Sequence, residues 1–195
     1  MLNIQSFLQT HQPKNGRFFT IAVDGRGGSG KTSFAELLKA HLPGFVVLNG
    51  DDYFEPIKDP VVWGDFNDER FVQDIIEPLK LGNSFTYRPY NWHAEPHISE
   101  IKTEVTKGIC LERCYSFSFD IDWDLKIWVE TPKEVCLERG LVRENMTREK
   151  TIPAWQIWQA REDDYIQKYQ PQGKADIVID GLKPFGEQLR GVWRR

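Results

Sequence analysis

Eight consecutive residues, Gly25-Arg26-Gly27-Gly28-Ser29-Gly30-Lys31-Thr32, spell G-x-x-x-x-G-K-T. This is the Walker A phosphate loop, and it constrains the chain more than any other stretch. Glycines let successive backbone N–H groups turn inward around an anion. The lysine of the pattern reaches the β- and γ-phosphates of a nucleotide, and the hydroxyl after it ligates Mg²⁺. The setting agrees. Phe18-Phe19-Thr20-Ile21-Ala22-Val23 reads as an apolar strand, and Phe34, Leu37 and Leu38 fall at helical spacing after the loop. A strand, a glycine loop and a helix N-terminus aimed at phosphate form the required context. The loop residues Gly25, Gly27, Gly28, Ser29, Gly30, Lys31, Thr32 and Ser33 are therefore the candidate nucleotide contacts.

Further apolar runs occur at 45–48, 108–111, 125–129 and 176–179, with helical patterns at 33–41, 68–80, 132–144 and 153–169. Short buried strands alternating with helices predict an α/β chain with a central parallel sheet covered by helices on both faces. At 195 residues the chain fits one such domain. Two stretches break the alternation. One is an aromatic, proline-containing segment at 81–106, read as an inserted acceptor-side flap. The other is the charged segment at about 143–152, read as a closing lid.

A net charge of −4 argues against a nucleic-acid partner. No apolar run approaches a membrane span, and residues 1–8 lack the pattern of a secretion signal, so a cytoplasmic protein is expected. The three cysteines, Cys110, Cys114 and Cys136, match neither a zinc pattern nor a disulfide framework.

Ligands of parallel sheets bind beyond the carboxyl ends of the strands, where this chain carries acids. Asp51 and Asp52 follow the second strand, and the first of them suits a base or a water-mediated Mg²⁺ contact. Glu112 and Asp180 each end an apolar run, and periodicity does not choose between them as the magnesium-side acid. Arg139 and Arg143 are four apart on one helix face and could grip phosphates.

In this order the motifs resemble those of uridine kinase-like P-loop kinases, the group that includes phosphoribulokinase and bacterial pantothenate kinase. The resemblance spans roughly residues 18–181. Asn49-Gly50-Asp51-Asp52-Tyr53-Phe54 is similar to the family's D-x-[FY]-[FY] element, which implies Asp51 as catalytic base. Tyr90-Asn91-Trp92 resembles its Y-D-[FW] acceptor segment, with Asn91 in place of the aspartate. Leu111-Glu112 resembles the strand ending in E-G, which favours Glu112 over Asp180, although Arg113 replaces the glycine. Arg139 and Arg143 match the lid-flanking arginines, and Ala175-Asp176-Ile177-Val178-Ile179 the closing strand.

The resemblance implies the three-layer P-loop NTPase fold and an ATP- and Mg²⁺-dependent small-molecule kinase, with a nucleoside such as uridine as acceptor. Catalysis falls to Asp51, Lys31, Arg139 and Arg143, and metal binding to Thr32, Glu112 and Asp51. Tyr53, Tyr90, Asn91 and Trp92 join Asp51 at the acceptor. A same-fold kinase for pantothenate or a sugar is the neighbouring alternative, and a regulatory ATPase the more distant one. The chain has neither N-K-x-D nor L-S-G-G-Q, the signatures of guanine switches and transporter ATPases. A homo-oligomer is compatible with the sequence.

Overall fold

The structure, a computed structural model, describes residues 4–56, 64–90, 100–143 and 148–190. In chain order it runs α1 (Ile4–Thr10), β1 (Phe19–Gly25), α2 (Lys31–His41), β2 (Phe45–Asn49), β3 (Phe54–Pro56) and β4 (Gly64–Phe66). Then α3 (Asp68–Phe71) passes through a π turn at Val72–Ile76 into α4 (Glu77–Lys80). Next come β5 (Phe85–Tyr87), β6 (Ile101–Thr103), β7 (Gly108–Glu112), β8 (Leu125–Glu130), α5 (Lys133–Arg143) and α6 (Arg148–Tyr169). The last elements are α7 (Pro171–Lys174), β9 (Ile177–Asp180) and α8 (Phe185–Arg190).

The five strands read from the sequence form one parallel sheet in the order β2-β7-β1-β8-β9. β1 lies at its centre, so the phosphate loop emerges from the middle of the carboxyl edge.

Side-chain alternation along β1 builds two cores. Ile21 and Val23 face Phe34, Ala35 and Leu38 of α2, together with Cys110, Ile127, Ile177 and Ile179. Ala22 faces the opposite layer, where Tyr53, Phe71, Ile75, Ile76 and Leu79 meet Ile109 and Leu111. Neighbouring residues thus serve opposite faces, as strand geometry demands, and the result is a three-layer α/β fold. Phe34 and Leu38 are fully buried, and each such side chain contributes about 1.5–3 kcal/mol of hydrophobic free energy.

The flap expected at 81–106 contains a two-stranded antiparallel pair, with Phe85 opposite Thr103 and Tyr87 opposite Ile101. The lid region differs from the irregular loop expected at 143–152. From Arg148 onward it is already the first turn of α6. Arg148 reaches back with both terminal nitrogens to the Glu138 carboxylate, at 3.0 and 2.8 Å. That bidentate pair ties the start of α6 to α5, which the charged sequence alone did not reveal. Among the described residues no helix is long and apolar enough to cross a membrane.

Candidate active site

The loop between β1 and α2 has the backbone its sequence calls for. Gly28 and Gly30 have φ of 76° and 103°, in the left-handed region that favours glycine. A Cβ on Gly28 would also collide with the carbonyl of Cys136. Gly30 is the N-cap of α2 and makes no side-chain cap bond, which leaves the first amides of the helix to a ligand. The Lys31 Nζ donates to the Arg26 carbonyl at 2.9 Å and meets the Cys114 sulfur at 3.2 Å. Burial alone would lower the Lys31 pKa, but the Cys114 sulfur and the carboxyl groups of Glu112 and Glu162 outweigh it and raise the pKa, so the lysine is charged.

Thr32 donates its hydroxyl to Glu112 Oε1 at 2.8 Å. Glu112 ends β7 opposite Val23 of β1, next to the loop from which α2 and Thr32 start. Burial raises the Glu112 carboxyl pKa, and the charge of Asp51 adds to this; Lys31, the Thr32 hydroxyl and Arg143 oppose it. Asp51 and Arg143 therefore both act on the same carboxylate. Among the described residues no group of three or more His, Cys, Asp or Glu side chains forms a metal cage. A Thr32–Glu112 pair with Asp51 nearby instead fits Mg²⁺, which is bound through one or two carboxylates together with substrate phosphates.

The acidic pair divides. The Asp51 amide donates to Asn49 Oδ1 at 2.9 Å, which fixes the 3₁₀ turn Gly50–Tyr53. The Asp52 side chain accepts the Tyr87 hydroxyl at 3.1 Å, and its carbonyl accepts the Tyr90 amide at 2.7 Å. Burial raises the Asp52 pKa. Tyr53 is fully buried; its hydroxyl donates to Asp74 at 3.3 Å and its ring meets Phe71 at 5.0 Å. It belongs to the buried core with Phe71, Ile75 and Ile76. Tyr90 is half-buried, with its ring 5.7 Å from Phe54. Asn91 and Trp92 lie outside the described residues.

The two arginines also part company. Arg139 donates to the carbonyls of Ser29, at 3.2 Å, and Gly181, at 2.9 Å. It lines a cavity of about 340 Å³ with Gly30, Ser33, Leu182, Lys183 and Phe185. This cavity adjoins the N-terminus of α2 and is large enough for a nucleobase.

Sequence reasoning missed several residues. Gly181-Leu182-Lys183, after β9, could have been found from the rule that ligands sit beyond strand carboxyl ends. Glu162 of α6 is buried and accepts the Gly27 amide at 2.7 Å, while Arg26 pairs with its neighbour Asp163 at 2.6 Å. Asp24 accepts the amides of Gly25, Tyr115 and Phe117 and the hydroxyl of Tyr165. No local pattern marks Glu162, whose partner Gly27 lies 135 positions away, whereas Asp24 is legible as the acid that ends the first apolar run.

Set against known proteins, the chain matches no protein-family model. It is 27% identical over 134 residues to nicotinamide riboside kinase 1 of Mus musculus, a match covering 64% of this chain and 66% of that protein. The Homo sapiens protein of the same name is also 27% identical over 134 residues, covering 64% of this chain and 65% of that one. The match thus spans just under two thirds of the length of these curated relatives. Among solved structures, one described as a possible uridine kinase from Bacillus stearothermophilus superposes with a TM-score of 0.65. It is 16% identical, and the match covers 89% of this chain and 93% of that one. By fold the chain is an α/β protein of the P-loop kinase type, and its resemblance to uridine kinase-like P-loop kinases stands on both sequence relatives and solved structures.

Proposed function

We propose that this protein is an ATP- and Mg²⁺-dependent kinase that phosphorylates a hydroxyl of a small molecule, most simply a nucleoside. The observation that carries the reading is the convergence on Glu112, which accepts the Thr32 hydroxyl at 2.8 Å while feeling the charges of Lys31 and Asp51. A phosphate-loop lysine, a metal-side acid and an aspartate beyond the second strand are the parts that phosphoryl transfer requires.

In this mechanism the amides of Gly28 to Thr32 and the Lys31 ammonium hold the nucleotide phosphates. Thr32 and Glu112 would hold Mg²⁺, assisted by Asp51, and the ion when bound would supply positive charge against that of the nucleotide. Asp51 takes the proton of the acceptor hydroxyl as that oxygen forms its bond to the γ-phosphorus and the bond to ADP breaks. Arg143 adds positive charge on the Glu112 side. Arg139 shapes the base pocket through its bonds to Ser29 and Gly181.

The acceptor is read as a ribonucleoside. The curated relatives are named for nicotinamide riboside, and the structural neighbour for uridine. Both molecules offer a ribosyl hydroxyl. The test is transfer from ATP/Mg²⁺ across uridine, cytidine, nicotinamide riboside, pantothenate and simple sugars, read as ADP and phosphorylated product. A nucleoside monophosphate is the expected product. Transfer only to pantothenate or a sugar overturns the acceptor, and ATP hydrolysis without transfer overturns the kinase.

A further inference from the structure

We propose that Arg113 is a positioning residue: its side chain clamps the Asp51 turn to the end of β7 and so sets Asp51 against Glu112. This rests on the kinase reading above. Arg113 directly follows Glu112, and its own amide donates to the Val23 carbonyl at 3.1 Å, which fixes its origin on the central sheet. Its side chain is 1% exposed.

The stem of Arg113 lies on Gly50, the residue before Asp51. A Cβ at Gly50 would fall on the Cβ, Cγ and Cδ of Arg113. Gly50 is absent from the positive-φ glycines. Its glycine therefore answers to space, and the space is filled by arginine.

The guanidinium is held at its far end. Its carbon lies 4.4 Å from the Phe66 ring, 4.5 Å from Phe71 and 5.0 Å from Phe119, and Nη2 pairs with the Asp68 carboxylate. β4, α3 and the chain after residue 118 thus converge on one cation.

Stability is a poor reason for this arrangement. Among the described residues, Nε and Nη1 of Arg113 are buried with no partner, and unpaired buried polar groups are costly. An apolar side chain would fill the same box at lower cost. What an apolar residue lacks is an anchor at the far end of the stem. That anchor matters because Glu112 and Asp51 repel each other, and an untethered turn would move away from β7.

The experiment measures kcat, both KM values and Tm for R113G, R113M, R113K and G50A, and for the double variant G50A/R113G. R113G is expected to lose kcat on the order of 10²-fold, the scale of a misplaced catalytic group, with the ATP KM unchanged. R113K, which keeps stem and cation, recovers most of the rate. G50A damages the wild-type background but adds nothing to R113G, because the stem it would strike is gone. If R113G does not fold, R113M decides, since it keeps the stem volume and loses the anchor; its kcat falls about tenfold on the same argument. Wild-type kcat in R113M, or a fall in Tm alone, overturns the positioning role. A wild-type protein that transfers no phosphate brings down the kinase reading, and this role with it.

Discussion

The Thr32 hydroxyl and the Glu112 carboxylate meet at 2.8 Å although they are 80 residues apart in the chain. Parallel pairing of β1 and β7 sets Glu112 opposite Val23, at the end of the strand that leads into the phosphate loop, and Thr32 reaches it from the start of α2. Burial raises the Glu112 pKa, so its folded value lies above the ordinary glutamate value of about 4.3. The sign follows from linkage. A raised carboxyl contributes stability below its unfolded pKa and loses it as pH rises through the folded value. Glu112→Gln should therefore gain in Tm over the wild type as pH climbs from about 4.3 toward neutrality. The same variant should lose kcat on the order of 10²-fold. Parallel melting curves across pH, without nucleotide, check the first claim, and steady-state rates the second.

Lys31→Ala should remove at least about 10²-fold in kcat, the scale for deleting one charged stabiliser of a transition state. The lysine already leans on the Arg26 carbonyl, so its head is delivered to the loop before any ligand arrives. Near-normal turnover in the variant would falsify its assigned role.

Asp51→Asn should keep nucleotide binding and lose transfer, because an amide does not accept the hydroxyl proton. Asp52→Asn should instead lower Tm by weakening the contact with Tyr87, with a smaller effect on rate. Nucleotide affinity, kcat and Tm on both variants separate the two roles. Reversed effects would assign the base to Asp52.

If the cavity beside α2 takes the nucleobase as proposed, Arg139→Ala should raise the ATP KM by roughly tenfold or more, since two charge-assisted bonds to backbone carbonyls are lost at its rim. Arg143→Ala should act chiefly on kcat, through the charge balance at Glu112. Equal effects of the two substitutions on both parameters would contradict the division.

The five strands of the sheet were legible because each is a short apolar run, and the phosphate loop because its chemistry is local. By periodicity alone Glu112 was one of two acids ending strands, and only the family resemblance favoured it over Asp180; its strand β7 lies next to β1, while β9 is at the edge. The helical start of α6 was hidden because Arg148 finds its partner Glu138 in another helix. Glu162 was hidden for the same reason: its ligand is a main-chain amide, which carries no side-chain signature. The placement of Asn91 and Trp92 falls outside the described residues, so the acceptor segment remains a sequence expectation.

The Asp24 carboxylate gathers donors from Gly25, Tyr115, Phe117 and Tyr165. During synthesis this gives the phosphate loop an unusual schedule. It leaves the ribosome well before it is finished, because Tyr165 and Glu162 lie 141 and 135 positions after their partners Asp24 and Gly27. The central strand likewise waits for β7 and β8, so the topology is rich in distant pairings and slow to close. A nascent chain stopped before α6 carries the full Walker sequence yet lacks the side chains that brace it, so ATP should be captured only after α6 has emerged.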